Sequence, residues 1–240
     1  MERELTFVEH LEELRRKIII SLLALGATSI LSLPFSSYLL KILKIPAQGL
    51  IDKLVVFGPD EALSIYMRLG LLCGLTFSMP VLLYQLWDFV SPAIEERLKR
   101  YAGHFIFFCF FTFVAGGLFA FFILIPPVLR FLLSFAKDDL EPLMSASKYF
   151  SFVVSLILGC GLVFEMPILS LLLTKLRIIN ASTLRRKYKY AVVIILIVAA
   201  IITPTTDIFN MLILALPMLF LYEFSIWISF FAQPRAKVWG

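Results

Sequence analysis

The side chains able to do chemistry in this chain are few, and they fall in three places. Glu165 stands inside the apolar run 151–172, SFVVSLILGCGLVFEMPILSLL. A carboxylate at the centre of a spanning helix costs roughly 2.5–3.5 kcal/mol on insertion scales, so it marks a point where a proton or a polar partner is met. Pro167, two residues on, removes a backbone donor and clashes with the carbonyl of Val163. Gly159 and Gly161 precede it and admit close approach of a neighbouring helix. Together these features predict a span that lines a concave, partly wet surface. The second place is a pair of acidic strings, HLEELR at 10–15 and YQLWDFVSPAIEERLKR at 84–100, which carry Glu13, Glu95 and Glu96. Paired carboxylates bind a guanidinium through bidentate, charge-assisted bonds. The competing reading is i,i+4 pairing along one helix, or a solvated loop. The third place is TPTTD at 203–207, where Asp207 or Thr206 is suited to cap the following helix.

Catalysis finds little support. The two histidines, His10 and His104, form no H-E-x-x-H, and there is no G-x-S-x-G, Walker A or C-x-x-C. Cys73, Cys109 and Cys160 lie in apolar runs without metal-ligand spacing and read as small buried hydrophobes. The expectation is a protein that is not an enzyme and holds no metal.

The elements that must position these residues are membrane helices. The chain is 60% hydrophobic and 16% charged, with a mean hydropathy of +0.94, against about 45–50% and about 25% for soluble domains. The net charge of +5 is no sign of nucleic-acid binding, because most bases lie in loops between apolar runs. Six runs, 18–40, 65–90, 104–133, 150–176, 190–203 and 208–231, predict one polytopic all-α domain over residues 1–240. The fifth run is short, and the sixth is interrupted by Pro217 and Glu223, so the last two predict a short hairpin over which the bilayer thins or protein covers the tip. Pro80, Pro126, Pro127 and Pro217 predict bent helices around a concavity.

Residues 2–17 predict an amphipathic surface helix running into the first span, opened by a Thr6/Glu9 capping box. The Arg15–Arg16 pair ahead of an apolar run is not read as an export signal, because the leading segment is acidic, the run is long and no A-x-A site follows. Fifteen of the 22 Lys and Arg fall in the terminal segments and the loops 91–103 and 175–189, which predicts cytoplasmic termini. The outer segments 41–64 and 134–149 predict caps. Gly70 and Gly74 form a GxxxG, which serves either a homodimer face or close packing within the monomer. Trp87 and Phe89 lie where aromatic belts occur; beside Pro92 and Glu96, Phe89 also suits an apolar contact for an incoming peptide.

Four strings in order then carry a resemblance over essentially the whole chain: HLEELR at 10–15, YQLWDFVSPAIEER at 84–97, FEMP at 164–167 and TPTTD at 203–207. Together they resemble TatC, the multi-spanning subunit of the twin-arginine protein translocase. The resemblance implies a receptor in the cytoplasmic (inner) membrane that binds twin-arginine signal peptides of folded cargo. It also implies assembly with single-span TatA and TatB, homo-oligomers within a lipid-embedded receptor complex, export driven by the proton-motive force, and no cofactor. Carried over by position, Glu13, Arg15, Phe89, Glu96 and Arg97 match the signal-binding patch. Glu165 matches the intramembrane glutamate, and Thr203, Pro204 and Asp207 match the tip where partner helices sit. Two departures are visible: the segment after Pro92 is shorter than the family pattern, leaving Glu95 or Glu96 for the acidic position, and Met211 stands where a polar residue is common. The residues alone leave open a proton-coupled small-solute transporter using Glu165, or a membrane scaffold that recruits other subunits.

Overall fold

The computed structural model describes residues 7–51, 53–91, 100, 102–134, 144–203 and 207–233, with side chains from residue 11 onward. The Thr6/Glu9 capping box lies outside what is described. The chain is an all-α, multi-pass membrane protein. Among the described residues, five stretches are long and apolar enough to cross a bilayer: Leu11–Ala47, Pro59–Val90, Ala102–Ser134, Ala146–Lys175 and Ile208–Ala232; a sixth apolar helix, Tyr188–Ile202, is shorter.

Helix α1 (Phe7–Ser32) runs without a break from the acidic N-terminal string into the first span, and one tight turn leads to α2 (Ser36–Leu43). Helix α3 (Pro59–Val90) returns with Pro80 inside it and with Asp60 and Glu61 in its first turn, where the helix dipole favours negative charge. Helix α4 (Ala102–Phe119) passes through a wider, π-type turn at Ala120–Leu124 into α5 (Ile125–Ser134), just ahead of Pro126 and Pro127. Helix α6 (Ala146–Phe164) ends at Glu165, and α7 (Met166–Lys175) restarts with Pro167 in its first turn. The short α8 (Ala181–Arg186) leads to α9 (Tyr188–Ile202) and α10 (Ile208–Ala232).

Only the fifth of the last two spans is short. At 15 residues α9 reaches about 22 Å, whereas α10 has 25 residues and runs through Pro217. Glu223 does not interrupt it either, since Arg185 Nη1 donates to Glu223 Oε1 at 2.8 Å, where α10 meets α8.

Glycines set the helix approaches. A Cβ on Gly74 would fall 2.6 Å from Ser29 Cα, and one on Gly70 would strike Leu33. Thr28 Oγ1 donates to the Gly74 carbonyl at 2.8 Å. The GxxxG therefore seats α1 on α3 within one chain. Gly116 meets the Cys160 carbonyl and Phe164, Gly161 meets Phe113, and Gly159 meets Ile202, which packs α6 tightly on α4 and α9. At the end opposite the N-terminus, a two-residue parallel ladder pairs Leu54 with Met144 and Val55 with Ser145. The Tyr149 hydroxyl donates to the Leu43 carbonyl at 2.7 Å, tying both outer segments to the core.

The helices surround a concave face. A groove of about 650 Å³ opens between α3, α4, α7 and α10, walled by Trp87, Phe108, Thr112, Pro167, Leu171 and Phe224.

Candidate functional site

At the basic end of the molecule, α1 and α3 bring an acidic site together. Glu13 and Lys17 are one turn apart on α1, and their side chains meet at 2.5 Å. The same ammonium lies 2.9 Å from Asp88 Oδ2 on α3. Lys17 is only 8% exposed, while the side chains of Glu13 and Asp88 keep 29% and 48% of their accessible surface. The cation is thus inside and both carboxylates reach outward. The Phe89 ring lies 5.9 Å from the ammonium. Arg15 is exposed on α1. Glu95, Glu96 and Arg97 lie outside the described residues.

The structure joins Glu13 and Phe89 through a residue that was not singled out from sequence. The i,i+4 spacing of Glu13 and Lys17 is a visible signal; the partnership with Asp88 is not, because it depends on how α1 registers against α3. Trp87 is 7% exposed and packs on Phe105 with ring centroids 4.8 Å apart. It walls the groove rather than facing lipid in an aromatic belt. Trp87 walls the groove and the next residue, Asp88, meets Lys17, so the same turn of α3 contributes to both.

Further along the groove, Glu165 is 4% exposed at the break between α6 and α7. Thr112 Oγ1 donates to Glu165 Oε1 at 3.1 Å. Oε2 has no hydrogen-bond partner among the described residues. Thr112, Phe164 and Pro167 all wall the groove, so the carboxyl group lies just behind its surface. A buried polar oxygen without a partner is unfavourable by about 1–3 kcal/mol, and a donor entering the groove relieves this.

At the hairpin tip, Asp207 caps α10. Its Oδ1 accepts from Asn210 N at 2.8 Å and its Oδ2 from Asn210 Nδ2 at 2.7 Å. Asn210, 1% exposed, is the buried polar residue behind the cap. Thr203 is buried, with its hydroxyl donating to the Ala199 carbonyl at 2.8 Å. Pro204 lies outside the described residues. No group of three or more His, Cys, Asp or Glu suited to a metal occurs among the described residues.

Residues 9–217 match the family described as Sec-independent protein translocase protein (TatC). The chain is 37% identical over 234 residues to the TatC protein of Carboxydothermus hydrogenoformans, covering 98% of this chain and 96% of that one. It is 36% identical over 233 residues to TatC of Aquifex aeolicus, covering 95% and 96%. A crystal structure of the twin arginine translocase receptor TatC superposes with a TM-score of 0.85 at 36% identity, covering 93% of this chain and 99% of that one.

Proposed function

Because the chain belongs to the TatC family, we propose that its acidic site is where the arginines of a twin-arginine signal peptide are held. The protein is a non-enzymatic receptor component of the Sec-independent, twin-arginine translocase. The observation that carries the site reading is the part-exposed Glu13, paired with the buried Lys17 beside Phe89, on a helix pair whose α3 also walls an apolar groove through Trp87. A twin-arginine signal has a matching layout, a dication followed by an apolar stretch. Glu13 pairs with one guanidinium and Glu96 with the other; Arg15 and Arg97 flank these acids and Phe89 packs against the peptide. The apolar stretch then lies in the groove towards Glu165, whose Oε2 accepts a donor from the inserted signal or from a partner helix.

The remaining parts follow the family. Single-span TatA and TatB pack near Thr203, Pro204 and Asp207, several copies of this chain share one receptor complex, and the proton-motive force drives export. The chain lies in the cytoplasmic membrane of a bacterium with both termini inside. The Lys and Arg count supports that orientation. A cysteine placed at Lys53 is expected to react with an impermeant maleimide in intact cells and one at Ser182 only after lysis; the reverse pattern inverts the assignment.

The test of the site is cross-linking of a twin-arginine peptide to Glu13→Gln and Glu96→Gln variants. Each is expected to lose about tenfold or more in capture, as for truncating one partner of a charge-assisted pair. Undiminished capture by both rejects the site. The transporter alternative, with Glu165 as coupling site, is not favoured, since Glu165 is the sole buried carboxylate among the described residues.

A further inference from the structure

Lys17 is an unusual residue to find inside the acidic site. An ammonium 8% exposed between two carboxylates occupies the kind of place that a cargo cation needs. We propose that Lys17 is a specificity-determining residue: a resident ammonium that a cargo guanidinium displaces from Glu13 and a cargo ammonium does not. The inference rests on Glu13 being a ligand of the cargo arginines.

The chemistry of the two cations separates them. Lys17 reaches Glu13 from one turn along the same helix, at 2.5 Å. Its tether gives it a high effective concentration at that carboxylate. An incoming lysine offers the same point charge with no tether, so it gains nothing by exchange. An incoming arginine offers a planar fork that engages both oxygens of a carboxylate at once, a bond the ammonium cannot make. Arginine therefore takes Glu13 where lysine does not.

Exchange also requires somewhere for Lys17 to go. A cation this buried is strongly unfavourable without a partner. Asp88 supplies one from the other helix, at 2.9 Å. With Glu13 given up to the cargo, Lys17 stays neutralised by Asp88, and the Phe89 ring at 5.9 Å offers its face as well. Asp88 is thus a positioning residue that acts through Lys17. Removing Lys17 takes one positive charge from between Glu13 and Asp88. A receptor lacking Lys17 therefore binds dications more tightly and less selectively.

The test uses the full chain in lipid nanodiscs with two labelled peptides, identical except for Arg-Arg or Lys-Lys ahead of the apolar stretch. For Lys17→Met and Lys17→Gln, Lys-Lys affinity is expected to rise by about tenfold or more and Arg-Arg affinity by much less, so the Arg/Lys ratio collapses. An unchanged ratio in whichever of the two variants folds, judged by thermal unfolding, overturns the proposal, because a merely structural Lys17 would not move it. Asp88→Asn is expected to weaken Arg-Arg binding severalfold alone and to add no loss in the Lys17→Met or Lys17→Gln background. An equal loss in both backgrounds means Asp88 touches cargo directly and also overturns it. Glu13→Gln separates this inference from the one beneath it. If Glu13→Gln leaves Arg-Arg binding intact, the ligand assignment of Glu13 fails and the inference with it. If Glu13→Gln abolishes binding while the Lys17 variants keep the ratio, the resident-cation reading alone fails.

Discussion

Glu165 and Lys17 are both ionisable groups kept from water, but they are held in different ways. Lys17 has a carboxylate on each side, so its charge is met within the protein. Glu165 has the Thr112 hydroxyl on Oε1, with the Cys109 thiol and the Phe113 backbone also in its surroundings, while its Oε2 has no hydrogen bond among the described residues. A group supported on one side only is poorly explained by stability, because replacing a buried polar group with an apolar one of similar size is often neutral or stabilising. It is better explained by a ligand that supplies the second contact. Glu165→Leu is therefore expected to leave the thermal midpoint unchanged or raised while signal-peptide insertion, read by cross-linking from Thr112 or Phe164 positions, is lost. Thr112→Val is expected to lower the midpoint, by about 1–3 kcal/mol of stability, because it removes the hydroxyl that donates to Oε1. If Glu165→Leu unfolds the protein and Thr112→Val does not, Glu165 is structural and has no call on a ligand.

The helix pair α1 and α3 shows why part of the site can be read from sequence and part cannot. Ser29 fits against Gly74 so closely that a Cβ there would lie 2.6 Å from Ser29 Cα and 2.7 Å from Ser29 N. Those are backbone atoms with nowhere to move, so Gly74→Val must separate the helices, a change of about 1–3 kcal/mol or more. Because α1 carries Glu13 and Lys17 and α3 carries Asp88, the same variant is expected to lose Arg-Arg peptide binding together with its thermal midpoint. Gly26, with open space around its Cβ position, is the control: Gly26→Ala should leave both unchanged or slightly raise the midpoint. Binding that survives Gly74→Val would show that the acidic site does not need the α1–α3 register. The spans, their bends and the string HLEELR were legible because each is a local pattern: apolar run length, proline, and charge spacing on one helix. The contacts of Lys17 with Asp88 and of Thr112 with Glu165 were not, since each joins residues at least 53 positions apart whose meeting is decided by glycine-to-backbone fits between helices. The length of α10 was misread for a related reason. Pro217 and Glu223 look like interruptions when counted along the chain, but the helix absorbs the proline, and Glu223 is met by Arg185 from α8.

At the scale of the whole molecule, the spans differ in length. Helix α3 has 32 residues and α10 has 25, yet α9 has 15, about 22 Å against a hydrocarbon core of about 30 Å. The bilayer must thin beside α9, or something must cover its end. The outer face of α9 is strongly apolar, with Ile194, Ile197 and Ile201 exposed, while its tip ends at the buried Thr203 and the start of α10 holds Asp207 and the buried Asn210. A lipid tail suits that face but not that tip. The single-span partner proposed above would supply apolar contact along the face and a polar end near Asp207. On that proposal shortness has a purpose: it sets the depth at which the partner meets the tip. Inserting one helical turn of four apolar residues after Ile197 raises the tip by about 6 Å and brings α9 close to full membrane thickness. Photocross-linking from position 201 to a single-span subunit is expected to fall sharply in that variant, while Arg-Arg peptide binding at Glu13 persists, because α1 and α3 are untouched. Were the shortness of α9 incidental, the lengthened helix would relieve mismatch and capture its partner as well as before. The two results differ in sign of benefit, so one measurement decides whether the thin side of the molecule is a defect tolerated by the bilayer or the surface on which the translocase assembles.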